Sequence, residues 1–392
     1  MYIFFIIIII ISNFFYIKTI KVQEAVDSLP NEAENERIVF IKSGTYYEQV
    51  TIKKDYVTLM GEDKNQVWIT YDLNNNKTGS SSECATVRAN ANHFKAFDLT
   101  FENTAPFPGS NAQAPAFYSK GEYHYIENCD FYSYQDTLLS YTGTHYFKNC
   151  FIQGLTDFIW GYGRAVFENC TLSVVSKENK KKGYLTASGN RDENYKEGGF
   201  LITQSEVISD GATFYLGRTW RPYCYVIFDR VTFPGNKIIA DAWLPFKNHE
   251  DYVYTSVVGE YQCSGEGYSK EGRVEWQTEF DSVPSIEEFL GGDLSFVSET
   301  IYHQEEIDFD DAETTTLSIE DTETATVSTE TMTETETETE TVISTSIDSD
   351  DCPNHLFFQC GGQNFKGHTC CPKGSTCTKI NEWYSYCNNT KE

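Results

Sequence analysis

A chain of 392 residues with a net charge of −28 exceeds one average domain of roughly 100–200 residues and reads as two folded units. The charge is uneven: residues 304–351 carry 17 Asp and Glu and no Lys or Arg, the last 41 residues are net +2, and −13 remains on residues 1–303. An acidic body excludes nucleic acid, which needs basic patches to release counterions, and implies that a polyanionic substrate is met where its charge is masked.

Met1 to Ile17 is almost wholly apolar around a core of Ile6 to Ile11, and only Ser12 and Asn13 interrupt it. The run is short for a membrane span and begins at the initiator Met, so residues 1–17 are read as an export signal peptide, with no membrane association after its removal. Secretion to an extracellular, oxidising setting suits the six cysteines crowded into residues 352–392. In the body, residues 18–303, only Thr19–Ser28 has a helix-like pattern; short runs of Tyr, Phe, Val, Ile and Thr predict strands elsewhere.

A repeat organises those strands. Tyr125-Ile126-Glu127-Asn128-Cys129, Tyr146-Phe147-Lys148-Asn149-Cys150 and Val166-Phe167-Glu168-Asn169-Cys170 recur with steps of 21 and 20 residues, and Leu99-Thr100-Phe101-Glu102-Asn103 is a looser copy. That period suits one turn of a parallel β-helix. Three equivalent cysteines cannot all pair, so they read as small buried hydrophobes in a ladder, with the Asn amides bonding from turn to turn.

Asp136 and Asp157 each lie seven residues after a ladder Cys and therefore occupy the same place in consecutive turns. Parallel strands are about 4.7–4.9 Å apart, too close for both carboxylates to ionise easily. One proton shared by two carboxyls provides an acid and a nucleophile or base. Gln113 lies 22 residues before Gln135, which adjoins Asp136. Paired carboxylates alone also suit a glycosidase, whose transition state is cationic, whereas amide donors favour a developing oxyanion. A hydrogen-bonded Gln ladder with no catalytic role stays open on spacing alone.

From Val22 to Trp276 the chain resembles the pectin methylesterase family. The resemblance rests on Gly44-Thr45-Tyr46-Tyr47-Glu48, Gln113-Ala114-Pro115-Ala116-Phe117, Gln135-Asp136-Thr137-Leu138, Asp157-Phe158-Ile159-Trp160-Gly161 and Leu216-Gly217-Arg218-Thr219-Trp220, in that order. Gly259-Glu260-Tyr261 and Arg273-Val274-Glu275-Trp276 extend it. It implies an all-β, right-handed parallel β-helix that needs no metal or other cofactor and acts on methyl-esterified pectin, as a monomer. It also implies roles: Asp157 as nucleophile, Asp136 as acid then base, Gln113 and Gln135 as oxyanion donors, and Arg218 holding Asp157 charged. Trp220 and Trp160 would wall the cleft, although Arg218 and Trp220 also fit a structural cation–π pair. Thr219 stands where the family usually has Pro, Tyr162-Gly163 where Asn-Ala is common, and Ser188 where Gln is usual. These departures bear on loop geometry and subsite preference. Little sequence separates Ile17 from Val22 to supply the family's first strand.

Residues 304–351, with their TETETETETE run, cannot bury enough surface to offset ordering and read as an acidic Ser/Thr/Glu linker. Residues 352–392 are too few for a core without cross-links, and six cysteines allow 15 connectivities. Gln359-Cys360-Gly361-Gly362 and Asn381-Glu382-Trp383-Tyr384-Ser385 resemble the small fungal-type cellulose-binding module, a disulfide-stapled β unit. That resemblance implies Cys360–Cys377 and Cys371–Cys387, leaving Cys352–Cys370. It also implies a cellulose-binding strip of Phe357, Trp383 and Tyr384 with Asn381. The spacing lacks Cys-x-x-Cys knuckles, so no metal is expected. Of the sequons at Asn76, Asn169 and Asn388, Asn169 falls in the ladder and is expected to be inaccessible. The expected activity is therefore a pectinesterase held on plant cell-wall cellulose. A lyase or polygalacturonase on the same fold, or a wall-binding β-helix without turnover, are the rival readings.

Overall fold

The computed structural model describes residues 21–31, 35–109, 111–190, 193–195 and 197–297, then 359–361, 369–371, 373, 375–379 and 385–389. The chain divides into two compact units, 1–299 and 300–392. In the first, a helix spans Val22–Ser28 and buries Val22, Ala25 and Val26. The Glu48 carboxylate accepts from the backbone N–H groups of Val22 and Gln23 at 2.8 and 3.0 Å, placing negative charge on the helix's unsatisfied donors.

Beyond that helix the chain winds through three all-parallel sheets of nine, seven and eight strands, each turn adding a strand to each. This is the expected parallel β-helix. Its interior is a column of large apolar side chains stacked turn on turn, such as Phe101 on Phe131 at 5.4 Å and Phe147 on Phe167 at 4.9 Å. Each fully buried Phe contributes about 1.5–3 kcal/mol, which gives every turn reason to keep register with the next.

The repeat occupies one corner. Glu127, Lys148 and Glu168 end strands of the nine-stranded sheet in mutual register, and Asp130, Phe151 and Thr171 begin strands of the seven-stranded one. Asn128, Asn149 and Asn169 make the bend with φ of 52°, 55° and 50°, left-handed values that Asn tolerates better than most residues. Cys129, Cys150 and Cys170 follow as free, buried thiols. Burial pushes the Cys129 and Cys150 thiols well above their ordinary value, so both stay protonated in the core.

The Asn column differs in detail from the expected amide ladder. Asn169 donates to Asn149 at 2.7 Å, but Asn149 donates to Glu127 and Asn128 to Asp98. Strand register makes Asp98-Leu99 the true counterpart of Asn128-Cys129, because Glu127 pairs with Phe97. The looser copy ending at Asn103 is thus out of register; Asn103 instead donates to the carbonyls of Leu73, Cys84 and Pro115. Asn169 is exposed, contrary to expectation, because the bend turns it outward although its amide is engaged.

In the second unit, Gln359–Gly361, Ser375–Lys379 and Ser385–Asn389 form an antiparallel sheet with the last strand central. Cys360 and Cys377 are bridged, with Cα atoms 5.7 Å apart, as the resemblance implied. Cys370 and Cys371 are also disulfide-bonded. The sulfurs of Cys360, Cys371 and Cys377 gather within 4.8 Å, but all three are oxidised and none is a thiolate able to ligate a metal. Cys352, Phe357, Asn381, Trp383 and Tyr384 lie outside the described residues, as does the Cys387 side chain.

Candidate active site

The eight-stranded sheet positions the chemistry. Gln135 bridges Thr156, and Leu138 pairs with Ile159, so Asp136 and Asp157 lie side by side between those contacts. Both take left-handed backbone, with φ of 66° and 49°, at the entry to their strands. They are 6% and 8% exposed, which puts two acidic groups together in a nearly dry place.

One row of the sheet runs through Tyr118, Leu139, Trp160, Ala187 and Arg218. From this row, Arg218 grips Asp157 in a bidentate pair: Nε donates to Oδ1 at 2.9 Å and Nη2 donates to Oδ2. Its guanidinium lies over Tyr184 at 4.4 Å and over Phe246 at 4.9 Å. Thr219, the departure from Pro, is buried, and its hydroxyl accepts from Phe246 N at 3.3 Å, anchoring the residue that bears one of those rings just past the strand Trp243–Pro245. Two planes and a fork leave Arg218 little freedom, the pre-organisation that suits a charged pair.

Burial raises the Asp136 carboxyl well above the usual carboxylate range, the Asp157 charge adds to that, and Arg218 only partly opposes it. Burial also raises Asp157, but the charge and hydrogen bonds of Arg218 act against it. Of the two carboxyls Asp136 is therefore the one held higher, and Asp157, paired with Arg218, is the one favoured as the carboxylate.

Gln113 and Gln135 are half-buried beside this pair. Ala114 N donates to Gln135 O at 3.0 Å, the same bond that Asp136 N makes to Thr156 O in the Gln135–Thr156 bridge one turn on, so Gln113 and Gln135 occupy equivalent places in consecutive turns, as their spacing of 22 implied. The Gln113 carbonyl oxygen Oε1 is buried without a partner.

Trp160 Nε1 donates to the Asp136 carbonyl at 3.1 Å, and its ring meets Trp220 edge-on at 5.3 Å. Two residues that sequence reasoning left out of the site complete this wall. Tyr162 packs on Trp220 at 4.9 Å, and Arg221 lies over Trp220 at 4.5 Å while donating to the Tyr162 hydroxyl at 3.0 Å. The cation over Trp220 is thus Arg221, not Arg218, which frees Arg218 for Asp157. Tyr162 and Arg221 adjoin recognised motifs; Tyr184 and Phe246 had no signal beyond being aromatic. Gly161 lets the strand end there: at φ 131° an added Cβ would lie 1.8 Å from Ser140 O.

A neutral acid, a clamped carboxylate, two amide side chains and aromatic walls are the parts of an acyl-transfer site. Residues 9–291 match the pectinesterase family model and residues 356–384 match the fungal cellulose binding domain. The first match begins inside the apolar run read as an export signal. Putative pectinesterase 14 of Arabidopsis thaliana is 34% identical over 65% of this chain and 76% of its own. The fold matches pectin methylesterase from carrot with a TM-score of 0.64 at 29% identity, covering 70% of this chain and 89% of that one. The Aspergillus niger pectin methylesterase gives 0.62 at 27% identity, covering 70% and 90%. The clamped carboxylate pair thus stands in a β-helix whose sequence and shape agree on one lineage, and the chain belongs to the pectinesterase family of carboxylic ester hydrolases.

Proposed function

We propose that this protein removes methyl groups from esterified homogalacturonan, with Asp157 as nucleophile. The supporting observation is the asymmetry of the buried pair: Arg218 clamps Asp157, while Asp136 has no such partner and burial beside the Asp157 charge holds it well above the usual carboxylate range. Asp157 attacks the ester carbonyl through a lone pair that Arg218 leaves open. The carbonyl electrons move to oxygen, and the Gln113 and Gln135 amides donate to that oxyanion. As the oxyanion collapses, Asp136 gives its proton to departing methanol, leaving an acyl–Asp157 anhydride. Asp136, now charged, takes a proton from water as the water attacks the acyl carbon. Collapse expels the Asp157 carboxylate and frees the galacturonic acid group, which loses its proton to solvent, so that both aspartates are restored.

Highly esterified pectin tests this directly. Methanol release without chain shortening is expected; new reducing ends or unsaturated products would transfer the site to a hydrolase or lyase of the glycosidic bond.

The same proposal includes export through residues 1–17, a linker at 304–351 and retention on cell-wall cellulose through the module. The family match from residue 9 overlaps the export reading, and the N-terminal sequence of the secreted protein resolves it: a start near residue 18 is expected. Changing Trp383 and Tyr384 together to Ala is expected to abolish cellulose pull-down while methanol release from soluble pectin persists. Equal retention would remove the aromatic-strip assignment.

A further inference from the structure

Asn103, the end of the looser copy of the repeat, belongs to no ladder. It closes the strand Thr100–Asn103 of the seven-stranded sheet and is 3% exposed, so its amide has to be satisfied by protein. Nδ2 donates to the carbonyls of Leu73 at 2.9 Å, Cys84 at 3.1 Å and Pro115 at 3.0 Å, and Oδ1 accepts from Ala105 N at 3.0 Å. Two N–H protons among three carbonyls make at least one three-centre bond. Leu73 and Cys84 lie near the two ends of the excursion that leaves the strand Val67–Tyr71 and returns at Val87–Ala89, and Pro115 lies two residues after Gln113. One buried side chain thus fastens both ends of that excursion to the segment that bears Gln113.

The excursion in turn grips Gln113 itself. Asn75 N donates to the Gln113 main-chain carbonyl at 2.9 Å, and the buried Cys84 thiol lies between that carbonyl at 3.4 Å and the Ser81 carbonyl at 3.2 Å. Burial pushes the Cys84 thiol up to about 12, so it keeps the proton it shares between them. Ser133 Oγ donates to the Ala114 carbonyl at 2.7 Å, and Thr86 N joins Asn103 on the Pro115 carbonyl at 3.1 Å. The carbonyls of Gln113, Ala114 and Pro115 are therefore all held, and Pro115 adds a fixed φ. The Gln113 side chain is different, because its Oε1 is buried without a partner. No bond at that atom aims the amide, so its direction follows from the main chain that carries it. Aim matters: an oxyanion donor acts where charge develops, and a misplacement of about 1 Å can cost about 10²-fold in rate.

We propose that Asn103 is a positioning residue for ester cleavage, which sets the place of the Gln113 amide through the main chain, with the Cys84 thiol as a second anchor. This rests on the reading of Gln113 as an oxyanion donor given above.

The test measures methanol release from highly esterified pectin by the full chain carrying Asn103→Ala, Gln113→Ala or both. Asn103→Ala is expected to lower kcat roughly 10–10²-fold with KM within about twofold, because a donor is misplaced while the sugar is still bound. In the Gln113→Ala background the same change should cost no more than about twofold, since residues that act through one another are not additive. A wild-type kcat in Asn103→Ala, or a full loss that persists when Gln113 is already Ala, overturns the positioning role. Where Asn103→Ala does not reproduce the wild-type circular dichroism, Cys84 decides instead. Cys84→Ala should then lower kcat about threefold to tenfold, Cys84→Ser should restore it by keeping a donor, and neither change should matter in Gln113→Ala. A wild-type kcat in Cys84→Ala, or a loss independent of Gln113, overturns the proposal in that case. A wild-type kcat in Gln113→Ala removes the oxyanion reading and this proposal with it, whereas a slow Gln113→Ala with additive losses keeps the donor and removes the positioning role alone.

Discussion

The β-helix contains two columns built by the same step in sequence. Cys129, Cys150 and Cys170 stack in the interior, and Asp136 and Asp157 stack at the rim of the eight-stranded sheet. Each column follows or occupies a left-handed corner, so backbone geometry does not separate them. What separates them is the consequence of stacking like on like. Neutral thiols gain burial and raise no charge conflict, whereas two carboxyls at one-strand separation conflict until one keeps its proton. Repetition that merely stabilises in the core becomes an acid–base pair at the surface.

Breaking each column in turn gives effects of very different size. Asp157→Asn keeps the shape and removes the charge that attacks the ester; kcat is expected to fall at least about 10⁴-fold with the fold intact by circular dichroism. Substantial residual turnover would refute the nucleophile assignment. Gln113→Ala or Gln135→Ala should each lower kcat by roughly 10²–10³, the usual loss for one oxyanion donor, without moving the thermal midpoint. A normal rate would leave the Gln residues as packing only. In the interior column, Cys150→Ala should cost about 1 kcal/mol in denaturant unfolding and leave kcat alone; the reverse pattern would mean the columns are not independent.

The columns were also unequally legible. A 21-residue step with Asn-Cys at its end exposed three turns, and equal offsets then located Asp136 above Asp157 without any knowledge of contacts. Later corners at Gln204, Arg230 and Gln262 share the left-handed bend, with φ of 49°, 50° and 50°. They escaped notice because longer excursions separate them and no Asn-Cys marks them. Arg218 was legible only through resemblance: it reaches Asp157 from two strands away, a pairing that local spacing cannot encode. Its flanking rings, Tyr184 and Phe246, were invisible for the same reason, since a chain with so many aromatics offers no sign of which one meets a cation.

The smallest effects divide the two regions by pH. Where the eight-stranded sheet turns into the nine-stranded one, His124 and His145 lie 4.9 Å apart with rings tilted by 30°, their Nδ1 atoms 2.6 and 2.7 Å from the hydroxyls of Ser119 and Ser140. Burial lowers His124 to about 4 from its ordinary 6.5. A base with a lowered folded value stabilises fully above 6.5, and that contribution is lost as pH falls from there toward 4, because the unfolded chain takes up the proton first. Asp136 works in the opposite sense. Its folded value is raised, so the penalty is absent below the ordinary aspartate value of 3.8 and grows as pH climbs toward the raised one, because the unfolded chain ionises first. The core therefore sets the acid limb of stability and the cleft the alkaline limb. Thermal midpoints from about pH 4 to about pH 8 should show Asp136→Asn gaining on the wild type as pH rises, and His124→Gln losing less than the wild type as pH falls. Curves that stay parallel for Asp136→Asn would mean the carboxyl is ionised in the folded protein at every pH tested, and the proton needed for departing methanol would have to come from elsewhere.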